Sequence, residues 1–448
     1  MWTAEQVLAL SPDAGSTKNG KALANVAKWV SLNKTEQAIW GECKGSGKKP
    51  YRTQIDLSEP AFKCSCPSRK FPCKHALGLF LLFAEQSAAF EQTAPPDWVT
   101  EWLAKRSQAQ ERKQAKAAKA TDPEAQAKRA EKRASKIAAG LTDLDQWLQD
   151  IVRQGLATLP NQPYNFWDQT AARLVDAQAP GLARRIRSLA GIPYSGQDWP
   201  DRMLRALGLL NLLVQGYQRL DTLAPAMQAE VRSQIGWTQT QDDLLRRAEQ
   251  GDPLVEHIKD TWQVLGKLVL EEERLKVQRV WLWGQHGQQM ALVLSFAHGK
   301  QPLDVSLVPG TSFEGELIFY PGTGLRRAFV VSREAVVEST SVVVQAIGST
   351  QDSAIATAIE HYAQALGQNP WLEQYPLLLD SVHLIQKEQW WLQDADGYVL
   401  PISPQFQQPW EMLAMSGGHP ITVFGEWDGA LFLPLSLWTA TEFLTFGS

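Results

Sequence analysis

The sequence predicts a multidomain α+β protein, and three observations predict it. Residues 64–75 gather three of the four cysteines and a histidine as Cys64-x-Cys66 and Cys73-x-His75. Apolar residues recur at helical spacing between residues 141 and 277. From Val280 onward the spacing falls to two, the period of strands. Four segments follow: a cysteine-bearing module over 1–93 with its core at 37–86, a charged Ala/Lys-rich helical spacer over 94–140, an all-helical domain over 141–277, and a Trp-rich, mainly antiparallel β domain over 278–448. With 448 residues, 44% of them apolar, the chain has material for more than one core.

Residues 2–35 read as helix interrupted by Ser11–Gly20, with Leu23, Val26, Ala27 and Val30 forming an amphipathic stripe. Gln37–Gly41 reads as a strand entering a Gly-rich turn. Tyr51–Leu57 returns, with Tyr51, Thr53, Ile55 and Leu57 on one face. Pro72 precedes Cys73 and an apolar run follows His75, so Cys73 and His75 fall in the opening turn of a helix. Two strands, the CxC knuckle and this helix make a ββα unit. Three thiolates and an imidazole form a closed tetrahedral set for one structural zinc ion, with Cys64, Cys66, Cys73 and His75 as its ligands. So small a unit buries too little to stand alone, and the metal supplies the missing folding energy. A redox dithiol or a merely buried cysteine does not account for four such ligands within twelve residues.

The CxC, short spacer and CxH pattern resembles the SWIM zinc finger. Trp40–Tyr51, Trp147–Leu159 and Ala171–Arg187 resemble stretches of a bacterial family of SWIM-finger proteins, and the likeness fades in the C-terminal half. The resemblance implies a zinc-stapled module that binds DNA or protein partners. Members of that family tend to be encoded near MoxR-type AAA ATPases and von Willebrand A-domain proteins, so it also implies partnership with one of these. It implies no reaction.

The turn Gly41–Pro50 fails the phosphate-loop template, because Gly41 and Gly47 are separated by five residues and Lys49 stands where a magnesium-holding hydroxyl belongs. It reads as a basic hairpin tip. Lys48, Lys49, Tyr51 and Arg52, with Arg69, Lys70 and Lys74 around the metal, are the candidate anion or nucleic-acid contacts. The same charges read equally as a solvated surface. Residues 1–140 carry +9 and the remainder −13 of the net −4, which suggests an anion-facing front and a differently employed rear, and fits self-association or intramolecular neutralisation as well. Within the spacer, a helix restarts at Thr121–Glu124 and ends at Gly140, and it reads as a solvated rod more than as a DNA arm.

Thr142 opens the next helix with the stripe Leu144, Trp147, Leu148, Ile151, Val152 and Leu156. Further helices follow at Trp167–Gln178, Leu182–Leu189, Asp201–Leu220, Ala224–Ile235, Gln239–Ala248 and Leu254–Val277. Val280–Phe296, Gly315–Val331, Gln389–Ile402 and Ile421–Leu437 read as hairpins, the last two turning at Asp396-Gly397 and Asp428-Gly429. One helix, at Ser353–Leu366, interrupts them. Of the eighteen tryptophans, Trp281, Trp283, Trp390, Trp391, Trp410, Trp427 and Trp438 crowd the strands of this domain, and the pair Trp390-Trp391 places one ring on the outer face of a strand.

No HExxH, GxSxG or GxGxxG pattern occurs in a fitting context, and none of the six remaining histidines has a second ligand at metal spacing. Glu426 and Asp428 read as turn chemistry. No catalytic residue, no small-molecule substrate and no cofactor beyond zinc is indicated. The N-terminus lacks the marks of a signal peptide, the longest apolar run is nine residues (Ala76–Ala84), and no disulfide forms without dismantling the metal set. Together these predict a cytoplasmic, non-enzymatic zinc-binding adaptor without membrane contact that engages protein partners. The alternative is a nucleic-acid-binding protein using the finger and the spacer helices.

Overall fold

A computed structural model describes the chain except residues 1, 3, 9, 46–48, 58, 59, 118–122, 273, 274, 299–302, 325, 339–354, 440, 441, 447 and 448; side chains are described outside 5, 109–127, 272 and 335–338. The N-terminal module opens with two short helices, α1 (Ala4–Leu8) and α2 (Ala14–Lys21). Where the spacing predicts helix across 2–35, the chain instead turns at Asn25 and forms strand β1 (Trp29–Lys34). Val26 and Val30 are exposed, so the expected stripe does not form. Pairing decides this segment: β1 joins β2 (Ala38–Cys43), which pairs with β3 (Tyr51–Asp56), and β3 with β4 (Ala61–Cys64). After helix α3 (Lys74–Glu85), the short β5 (Glu91–Gln92) completes the order β4-β3-β2-β1-β5. The ββα unit thus sits inside a five-stranded sheet.

Both faces of that sheet are covered. On one side α3 buries Leu77, Leu79, Phe80 and Leu82 against Ile39, Ile55 and Phe62. Gly20 and Gly78 let α2 approach: a Cβ on Gly78 would lie 2.6 Å from the Leu23 Cβ. On the other side lies α4 (Asp97–Ala117), whose Val99 packs on Ala38 and Trp40. Gln54 Nε2 donates to the Trp98 carbonyl (3.1 Å), and Arg106 pairs with the buried Asp56 (3.2 Å). The expected solvated spacer therefore begins as part of the module.

Helix α5 (Pro123–Gln154) runs straight through Gly140, where the sequence predicts an end, so the boundary at 140/141 falls inside a helix. Its buried stripe is Ile137, Leu141, Leu144, Leu148 and Ile151. Gly140 faces a neighbouring helix so closely that a Cβ there would lie 2.4 Å from the Ala177 Cβ. The glycine serves packing, not termination. Helices α6 (Tyr164–Asp176), α7 (Pro180–Leu189), α8 (Trp199–Gln218) and α9 (Pro225–Ile235) close the bundle around Trp167, Leu182, Ile186, Met203, Leu210 and Val231. Arg133 of α5 donates to the Gly236 carbonyl at the end of α9 (3.0 Å) and lies over the Trp237 ring.

Helix α10 (Gln241–Glu249) leads into strands. The helix predicted at Leu254–Val277 is instead β6 (His257–Glu272) and the start of β7 (Leu275–Gly284), so the boundary at 277/278 falls inside a strand. A bulge between Val264 and Gly266 breaks the alternation of β6, which is paired along both edges. Around the bulge both faces are buried, Val264 inside the barrel and Leu265 against the neighbouring sheet, so the apolar cluster Val264–Leu270 shows no period of two and imitates a buried helix. With β8 (Gln289–His298), β9 (Thr311–Phe319) and β10 (Arg327–Glu338) it closes a barrel in the order β10-β8-β7-β6-β9. Only the β8–β10 pairing is parallel, an arrangement like the five-stranded Greek-key OB barrel.

The last unit comprises α11 (Ile355–Gln368), β11 (Tyr375–Gln386), β12 (Trp390–Gln393), β13 (Val399–Pro401), α12 (Pro409–Ser416), β14 (Ile421–Trp427), β15 (Phe432–Trp438) and β16 (Phe443–Thr445). Its sheet has the order β13-β12-β11-β14-β15-β16. Both Asp-Gly turns form, with Gly397 and Gly429 at φ of 89° and 96°. The C-terminal β region is therefore a barrel plus a sheet. They share a core of Leu265, Trp281, Phe424, Leu435 and Trp438, and Ser436 Oγ donates to the Leu265 carbonyl (2.6 Å). The N-terminal module is joined to this body through Val308, which is buried in the finger core beside the barrel residue Leu307.

Candidate metal centre

Cys64 ends β4 opposite Thr53 of β3, and Cys66 lies on the knuckle that follows. Cys73 is the N-cap of α3, and His75 is its second residue. The four ligand atoms all lie within 4.8 Å of one another, with Cys64 Sγ 3.8 Å from His75 Nδ1. Tetrahedral bonds of about 2.0–2.3 Å set ligand atoms about 3.3–3.8 Å apart, a small contraction from this arrangement. Cys73 and His75 are buried and the other two half-buried. The Thr53 hydroxyl lies 3.2 Å from Cys64 Sγ, placed to donate to a thiolate, and the Tyr51 ring packs on the imidazole (4.9 Å between centroids).

The thiols cannot all ionise on their own. Hydrogen bonding from the Cys64 thiol pulls Cys73 down to about 4, against the opposing effect of burial. Sharing that bond, with burial, pushes Cys64 up, and burial pushes Cys66 up. One sulfur takes the charge at its neighbours' expense until a divalent cation compensates all three. The donor set fits one structural zinc ion with no position left for substrate. Cys43 stands outside the set: it is fully buried in the finger core, its thiol against the Lys44 carbonyl (3.7 Å).

Lys48 lies outside the described residues. Of the other candidate anion contacts, Lys49, Arg69 and Lys74 are exposed. Arg52 pairs with Glu42 (3.2 Å) and lies over the Trp98 ring, Lys70 pairs with Asp13 (2.6 Å), and Tyr51 is taken up by His75. The cationic patch is thus partly neutralised by its own module.

Glu426 corrects the sequence reading. Only Asp428 caps the turn, accepting from the Ala430 and Leu431 amides (2.8 and 2.7 Å). Glu426 is buried on β14, where it accepts from Arg279 Nη2 (2.5 Å) and Trp281 Nε1 (2.8 Å) and ties sheet to barrel. No sequence signal links residues so far apart. His286 likewise has a structural partner in Asp260 (2.7 Å), whose carboxylate also accepts the Thr261, His286 and Gly287 amides.

The geometry defines a small structural zinc finger, a hairpin and helix closed on one ion, followed by a helical bundle. The SWIM zinc finger family model matches residues 51–83, and that of the SWIM-associated four-helix bundle domain matches residues 132–235; the chain carries both domains. The second match begins within α5, inside the 94–140 stretch that composition alone reads as a spacer, and ends with α9. No curated protein and no solved structure matches the chain. Among the described residues no helix is long and apolar enough to cross a membrane.

Proposed function

We propose that this chain is a non-enzymatic adaptor in which the zinc finger holds the N-terminal module in shape while exposed surfaces of the bundle and β units recruit protein partners. The observation that carries this reading is the closed metal set, whose four protein ligands leave the ion a structural task only. Pairing of Arg52 with Glu42 and Lys70 with Asp13 favours protein over nucleic acid at the finger. The outer face of β7 and β8, the side on which OB barrels take oligonucleotides, is here largely packed against the chain's own sheet. The family resemblance makes a MoxR-type AAA ATPase or a von Willebrand A-domain protein the partner to try first.

Affinity capture with the full-length, zinc-loaded chain tests the reading: specific, salt-resistant protein partners are expected. An empty capture, repeated with the purified ATPase and A-domain proteins, defeats it.

Exposed Lys49, Arg69 and Lys74 keep nucleic acid as the second reading. It requires DNA or RNA affinity that falls steeply with salt and weakens in Lys49→Glu/Arg69→Glu. Binding insensitive to salt and to that variant removes it.

A further inference from the structure

Among the described residues, the six-stranded sheet is packed on its barrel side over only part of its width. Leu378 of β11, Phe424 of β14 and Leu435 of β15 pack on the barrel. A bulge between Leu379 and Val382 then shifts the register of β11. Beyond it Val382, Leu384, Leu392 and Leu400 face the core on the other side, so Ile385, Trp391 and Pro401 continue the barrel-side face. These three stand directly across from one another on β11, β12 and β13, and Gln393 and Val399 form part of the next row. Ile385, Trp391 and Pro401 are half-exposed, Val399 is 42% exposed, and Tyr398 beside it is 55% exposed.

Charge says what such a face accepts. Residues 355–448 hold ten Asp and Glu against one Lys and no Arg. Two of the exposed acids, Glu388 and Asp396, sit in the turns at the two ends of β12, Glu388 next to the one lysine, Lys387. A half-exposed indole on a strand with an acid in the turn at each end suits a guanidinium or ammonium group, which stacks on the ring while neighbouring cations meet the acids. The same field repels nucleic acid and anionic lipid.

We propose that this face is the docking site for a basic segment of a partner polypeptide, which lays an arginine or lysine over Trp391 and sets its flanking cations against Glu388 and Asp396. The proposal rests on the adaptor reading and names the chemistry of one partner. The aliphatic neighbours Ile385, Val399 and Pro401 suit the stem of that side chain and an apolar residue beside it.

The probe is a fluorescein-labelled peptide of alternating arginine and leucine, titrated into the full-length, zinc-loaded protein by anisotropy, with a glutamate–leucine peptide as control. The basic peptide is expected to bind and the acidic one not. Trp391→Ala and Glu388→Lys/Asp396→Lys should each weaken binding about tenfold, the size expected for a cation–π contact or two exposed ion pairs. The double charge variant changes only exposed turn positions, so it keeps the test decisive if Trp391→Ala unfolds. No binding, equal binding of the acidic peptide, or unchanged affinity in the charge variant overturns the proposal. So does a concentration-dependent rise in mass that the charge variant abolishes, which assigns the face to a second copy. If the charge variant still captures every partner of the wild-type chain, the site fails while the adaptor reading stands.

Discussion

Replacing Arg279 with methionine strands the Glu426 carboxylate between barrel and sheet. The two groups are 2.5 Å apart, with side chains 14% and 2% exposed. Removing one partner of a buried pair costs about 3–5 kcal/mol, because the remaining charge stays desolvated. The lower end applies here, since Trp281 Nε1 still donates to the other carboxylate oxygen at 2.8 Å. Burial raises the Glu426 pKa, against the pull of Arg279 and Trp281. A carboxyl with a raised folded-state pKa contributes stability that is full below its unfolded value and is lost as pH rises through the folded one. Arg279→Met removes the cation that limits the rise, so its deficit should be larger at about pH 8 than at about pH 5. Urea unfolding followed by tryptophan fluorescence reads the effect, because Trp281 sits in the joint. The double replacement Arg279→Met/Glu426→Gln, which removes the charge but keeps an acceptor for the buried Trp281 Nε1, should recover to within about 1 kcal/mol of the parent. A single-variant deficit below about 1 kcal/mol, or one that does not change with pH, refutes the reasoning.

Elemental analysis should find one zinc per chain in the parent and in Cys43→Ser, and a clear loss in Cys64→Ser and Cys73→Ser; zinc loss in Cys43→Ser alone would overturn the ligand assignment. Stripping the metal should also raise protease cleavage near Val305–Val308, because Val308 belongs to the finger core. Gly140→Ala sets two rules against each other. Helix propensity alone predicts a gain of about 1 kcal/mol, whereas a Cβ placed 2.4 Å from that of Ala177 predicts a loss of about 1–3 kcal/mol. A higher melting temperature in that variant would falsify the close α5–α6 contact.

What the sequence disclosed, and what it hid, follow one physical distinction. The metal ligands and the Asp-Gly hairpins are local: a few adjacent residues must meet a geometric demand, and the residue types announce it. Strand β6 is not local. Its bulge at Val264–Gly266 and burial on both faces, Val264 in the barrel and Leu265 against the sheet, erase the period of two, so only the barrel reveals it. Gly140 misleads for the same reason, since its role is written in Ala177 and not in its neighbours. Composition misleads at the spacer, where Arg106 and Arg133 look like solvated charges yet hold Asp56 and the end of α9. The consequence reaches function. A chain read as beads on a string has a finger free to swing, whereas Val308 in the finger core and Glu426 against Arg279 couple finger to barrel and barrel to sheet. Zinc then has a longer reach than its four ligands suggest, because the ion that orders α3 also orders the surface against which the barrel segment packs.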